Sequence, residues 1–400
     1  MTRAAIVAIG FLVLFVGGGA RFAIGLTLKP ISEEFAVGRT VLGATVAVYL
    51  VVTSAGMFLA GRLADRLSIR AVLAWGLIIS AVGMSLMCAM TAPWQLLVLY
   101  GVVFAIGNGV ASITPVSLMV SRAFPDRAGL ANGIVSAGMS AGQLVIIAIF
   151  AVILVGYGWR HVFVWGGIAH LLLLPLVLLL VRPAGTAPPA LGGTGNARSG
   201  QAQGAGMSLR AAAGTRQFWL LIGVYSLCGL DDFFVATHIV AFAQDRGVDS
   251  LLAGNLLAAM GLVGFFGVIA AGAWSDRSGP MWPALASFIL RIGAFALIMV
   301  DQSPLSITVF ALIFGFTFLM TAPLLVIFVR DAFGTANLGA LTGLIVMIHH
   351  MFGGLGAWIG AAIFDASGGY GAAFAVMLAS SLLASVLTAK LAGNASYPKS

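Results

Sequence analysis

The sequence predicts an all-α membrane protein: twelve transmembrane helices in two pseudo-symmetric six-helix bundles. Three observations predict it. Of 400 residues, 61% are hydrophobic and only 8% charged, where a soluble domain carries roughly 25% charged. Apolar runs long enough to cross a bilayer, about 20 residues each, recur along the whole chain. The alternating segments of a barrel are missing. Finally, the chain repeats itself. Gly61-Arg62-Leu63-Ala64-Asp65-Arg66 returns 211 residues later as Gly272-Ala273-Trp274-Ser275-Asp276-Arg277, and Ile113-Thr114-Pro115 with Arg122 returns as Thr321-Ala322-Pro323 with Arg330.

The spans are expected at roughly 4–28, 40–60, 71–90, 95–120, 129–155 and 161–181, then 217–241, 251–273, 282–300, 306–328, 337–363 and 371–391. The first run is longer than a signal-peptide core, so it reads as a retained span. Segment 182–216, rich in Gly, Ala, Pro and Ser, reads as a linker between halves 1–181 and 217–400, with a short surface helix near Ser208–Gln217. Fourteen Lys and Arg fall on one side of this topology and four on the other. The positive-inside rule then puts both termini and the linker in the cytoplasm. Six spans per copy is even, so the halves are parallel repeats, expected to enclose a midplane site. Net charge +8 punctuates apolar runs and forms no nucleic-acid patch. Cys88 and Cys228 lie within spans and read as packing residues.

Charges inside spans mark functional candidates, because one at mid-bilayer costs at least about 2.5–3.5 kcal/mol. Arg21 follows the run Gly17-Gly18-Gly19 and can grip a carboxylate bidentately. A shift of 211 residues lays it on Asp232. Two readings stay open: Arg21 and Asp232 as substrate or coupling groups, or as a structural ion pair, with Asp231 paired to Arg291. His349 and His350 in the eleventh span and His238 in the seventh could relay protons or donate to an anion. Asn108 and Gln143 could orient a ligand or tie helices together. The pairs Gly129/Gly133, Gly138/Gly142 and Gly356/Gly360 are expected to pack helices closely at a rocking interface. No metal site or cofactor is predicted, and no Walker loop is present for ATP.

The stretch Gly61-Arg62-Leu63-Ala64-Asp65-Arg66-Leu67-Ser68-Ile69-Arg70 resembles the signature loop of the major facilitator superfamily, with Ser68 in place of the usual glycine. The resemblance covers the chain. It implies a transporter and not an enzyme, with a cytoplasmic gate at Gly61, Asp65, Arg66, Arg70, Asp276 and Arg277. Within the superfamily, Phe22-x-x-Gly25, Leu28-Lys29-Pro30, Gly158-Trp159-Arg160 and Thr237-His238 resemble the bacterial monocarboxylate-porter and oxalate/formate-antiporter-like branch. Members of that branch often carry a carboxylate-binding arginine in the eighth span. Here 251–273 holds no charge, and the nearest basic residue is Arg291. The arginine slot of the drug/proton antiporters, ahead of Gly107-Asn108-Gly109, holds Val103. The expectation is a monomeric secondary transporter of a small organic anion, driven by protons, in a bacterial inner membrane. An exporter of a neutral or cationic compound is the alternative.

Overall fold

The computed structural model describes residues 3–124, 128–181, 206–335 and 337–392. It contains twelve helical segments long and apolar enough to span a membrane. The first is α1 (Arg3–Ala20) with α2 (Ala23–Glu34). Then come α3 (Arg39–Arg66) and α4 (Ile69–Leu86). The fourth is composite: α5 (Trp94–Leu96), a π-helical stretch Leu97–Phe104, α6 (Ala105–Val110) and α7 (Ile113–Ala123). The fifth and sixth are α8 (Ala128–Tyr157) and α9 (Trp159–Leu180). After a short α10 (Leu209–Ala213) come α11 (Arg216–Asp245), α12 (Ser250–Ser278) and α13 (Met281–Val300). The tenth span is α14 (Pro304–Phe318) with α15 (Thr321–Phe333), and the last two are α16 (Leu338–Ser367) and α17 (Gly371–Ala392). Most of the predicted linker, 182–205, lies outside the described residues. The surface helix expected near Ser208–Gln217 is α10, capped by the Ser208 hydroxyl.

Six of the described α-helices start where a side chain takes an orphan backbone N–H. Thr215 caps α11, Asp249 caps α12, and Ser303 caps α14 with Pro304 at its first turn. Three spans break mid-membrane. The breaks at Ala111-Ser112 and at Leu319-Met320 occupy repeat-related positions. The break at Arg21-Phe22 has no counterpart, since α11 runs unbroken through Asp232. Its cause is local. Gly18 and Gly19 lie so close to α8 that a Cβ there would come within 2.7 Å of Met139 Cα and 2.5 Å of the Gly142 carbonyl. The glycines this approach demands are poor helix formers.

Among the described residues, the halves touch from mid-membrane to one end, the end opposite the start of α1 and the end of α17. A Cβ on Gly25 would lie 2.5 Å from the Ala236 carbonyl, and one on Gly43 2.7 Å from the Ala357 carbonyl. A clasp of charges closes that end. Asp245 binds Arg39 at 2.7 Å and Lys29 at 3.1 Å. The backbone N–H groups of Arg39 and Thr40 each donate to Asp365 at 2.8 Å. Helix α3 begins at Gly38, which offers no side-chain cap, so Asp365 caps it from the other half. Near mid-membrane, His350 Nδ1 meets the Ser54 hydroxyl at 3.1 Å, and Gln143 donates to the Leu257 carbonyl at 3.1 Å. Towards the terminus-bearing end, by contrast, a Cβ on Gly133, Gly272, Gly339 or Gly343 would meet nothing within 4 Å. Among the described residues no ion pair joins the halves there.

Candidate functional site in the central cavity

The Arg21-Phe22 break opens on a cavity between the halves. It is lined by both residues with Val46, Tyr49, Leu50, Phe233 and Thr237, and holds about 310 Å³ of unfilled space, mouth included. Tyr100, from the π-helical stretch, donates its hydroxyl to the freed Arg21 carbonyl at 2.6 Å. The π geometry suits a functional position and here supplies the loop's anchor. Asn108 donates to the Gly17 carbonyl at 3.3 Å and accepts from the Tyr49 hydroxyl at 3.0 Å. It therefore fixes the last turn of α1.

The Arg21 guanidinium lies 4.6 Å from the centre of the Phe22 ring. Its Nε is buried without a partner. Among the described residues it makes no hydrogen bond or ion pair. A charge so costly to leave unpaired sits where an anion could complete it.

The seventh-span aspartates turn away from this cavity. Asp232 pairs with Arg291 at 2.8 Å, so of the two open readings the Arg21–Asp232 ion pair is not formed. The two repeat positions differ in backbone: Arg21 sits at a helix break, whereas Asp232 lies within an unbroken helix. Arg291 is fully buried. It also donates to the Thr317 hydroxyl at 3.2 Å and the Thr317 carbonyl at 3.0 Å. Asp231, which that reading paired with Arg291, accepts from the Ser381 hydroxyl at 2.7 Å. His349 joins the cavity side to the ion pair. Its Nδ1–H donates to the Tyr225 carbonyl at 3.0 Å, which leaves Nε2 facing Asp232 Oδ2 at 3.9 Å. Protonation of Nε2 would supply Asp232 with a second cationic neighbour.

Cys228, Asp232 and His349 bring one ligating atom each to within 4.8 Å of one another. The sequence reading missed this convergence because it spans two helices. Arg291 lies 3.6 Å from the thiol and against Asp232, so a cation's place is already filled by a fixed one.

His238 stands apart, in the clasp. Tyr370, whose phenol burial pushes above its usual range and so keeps protonated, donates to His238 Nδ1 at 3.0 Å; His238 Nε2–H donates to the Ala357 carbonyl at 2.9 Å. Gln143 is an interhalf tie. The side chains of Asp65 and Arg66 lie outside the described residues. Among the rest of the gate set, Gly61 would meet only a Thr114 methyl at 3.7 Å, while Asp276 and Arg277 are exposed, and Arg277 bonds its own helix. Arg70 has no described partner. The glycine pairs also need correction. Gly138 and Gly142 pack on α1, and Gly356 and Gly360 on α11, each within its own half.

The family model of the Major Facilitator Superfamily matches residues 10–230 and 221–399, one match for each set of six spans. The chain belongs to the major facilitator superfamily. This superfamily member is a multi-pass membrane protein of the transporter class, and not an enzyme. It is 24% identical over 376 residues to the uncharacterized MFS-type transporter YcxA of Bacillus subtilis (strain 168), covering 87% of each chain. It is 27% identical over 333 residues to monocarboxylate transporter 13 of Rattus norvegicus, covering 82% of this chain and 75% of that one. Among solved structures it resembles a bacterial homolog of the human lysosomal transporter Spinster in an inward-facing, occupied conformation. The TM-score is 0.76, with 16% identity over 99% of both chains.

Proposed function

We propose that this protein is a proton-coupled secondary transporter of a small organic anion, monocarboxylate-like, in a bacterial cytoplasmic membrane. The carrying observation is the unpaired Arg21 guanidinium at a helix break beside the central cavity. Broken spans with substrate at the midplane are how such transporters present binding groups. Arg21 binds the anion, His349 exchanges the proton against Asp232, and Arg291 holds Asp232 in place. Segments 1–181 and 217–400 rock as units about 182–216, with both termini cytoplasmic, and the chain acts as a monomer. The closed far end and the uncrowded Gly133 and Gly343 at the other support a cavity open to the cytoplasm. In the opposite state those glycines would admit close approach, with the Asp65, Arg66, Arg70, Asp276 and Arg277 gate assembled. The cationic-exporter alternative drew on the two aspartates, and both face away from the cavity.

Proteoliposomes loaded with a monocarboxylate panel test the reading. Uptake and counterflow should follow an imposed pH gradient and vanish in Arg21→Gln. Absence of flux for every acid, with folded protein present, would refute it.

A further inference from the structure

Resting on that anion reading, we infer that the site takes a monoanion with an apolar, aryl-sized body and rejects amino acids and dicarboxylates. The geometry divides the cavity sharply. One wall carries the single charged group, Arg21. The others are the rings of Phe22, Tyr49 and Phe233 and the aliphatic side chain of Leu50. The Tyr49 hydroxyl is already committed to Asn108. Thr237 is the remaining neutral polar side chain in the lining.

Charge bookkeeping then sets the selectivity. An α-ammonium on the ligand would need a carboxylate, and the lining offers none. Asp232 is held by Arg291 and Asp231 by Ser381, both behind the cavity wall. A buried ammonium without a partner is strongly penalised. A second carboxylate would likewise need a second cation. Arg291, the other arginine within the membrane, is fully buried and turned to Thr317 and Asp232. A sugar or polyol would leave hydroxyls against three aromatic rings. An aryl body instead gains contacts with the rings of Phe22, Tyr49 and Phe233. The Arg21 guanidinium, 4.6 Å from the Phe22 ring centre, has no hydrogen-bond or ion-pair partner among the described residues and is chemically suited to one carboxylate.

Matched ligands test this on the purified full chain in lipid nanodiscs, by calorimetric titration. 3-Phenylpropionate is the reference. Phenylalanine differs from it by the ammonium alone and should bind at least 100-fold more weakly. Propionate, lacking the ring, and succinate, with a second carboxylate, should each bind at least tenfold more weakly. Phenylalanine, propionate or succinate binding within threefold of the reference would overturn the inference while leaving anion transport standing. If 3-phenylpropanamide, the neutral isostere, binds as tightly as the acid, the anion reading falls and this inference with it. The amide comparison uses unaltered protein, so it does not depend on an Arg21 variant folding.

Discussion

Gly25→Ala should push the protein out of its far-end-closed state. Gly25 faces the backbone of α11, and an added Cβ would sit 2.5 Å from the Ala236 carbonyl and 3.3 Å from that of Thr237. These are main-chain atoms of a buried helix, which cannot swing aside as a side chain tip could. Relief requires the halves to part by several tenths of an ångström, which the opposite state provides. Overpacking of this kind costs about 1–3 kcal/mol. At about 1.4 kcal/mol per factor of ten, the closed-to-open ratio falls roughly 5- to 150-fold. Hydrogen exchange reads the change. The amides of Arg39 and Thr40 are tied to Asp365 only while the far end is shut. Their exchange should accelerate by the same factor. Gly133→Ala, where a Cβ meets nothing within 4 Å in this state but would crowd the opposite one, should not accelerate them. Equal exchange in the wild type and Gly25→Ala, or equal acceleration in both variants, would refute the reasoning.

Three further outcomes are expected. Arg291→Leu strands a buried carboxylate and should cost about 3–5 kcal/mol, read as a fall in the thermal midpoint; adding Asp232→Leu should restore most of it. His349→Gln should keep counterflow of the anion but lose accumulation driven by a pH gradient, measured with a pH dye inside the vesicles; unchanged accumulation would remove His349 from the proton path. Asp365→Ala removes the cap on α3 and should cost the closed state about 1 kcal/mol, seen as faster exchange at Thr40 with no change at the Ser68-capped start of α4.

Spans, repeat and family were legible because each rests on patterns of many residues: apolar length, charge bias and a near-constant offset. The first span still ran past its predicted end. Lys29 and Pro30 look like a loop, yet α2 continues to Glu34, with Lys29 reaching Asp245. The site was legible as a set of residues and illegible as a set of partners. Pseudo-symmetry laid Arg21 on Asp232, but it describes unbroken helices. The first span breaks after the glycines that α8 crowds, and Arg21 at the break lines the cavity. Asp232 then takes Arg291, two spans away, a pairing no offset encodes. Likewise Asp365 and Asp245 carried no motif. Their roles depend on which helix ends meet when the halves close.

The clasp has a consequence for energy conservation. Arg39 donates to the Tyr370 oxygen at 2.8 Å, Tyr370 donates to His238, and His238 donates to the Ala357 carbonyl. Every hydrogen in this row points the same way and ends on a backbone oxygen that cannot pass one on. A proton arriving from outside meets a fixed guanidinium at the first position and no acceptor beyond it. The row is therefore an insulator. While the far end is shut, this row offers a proton no route through the clasp.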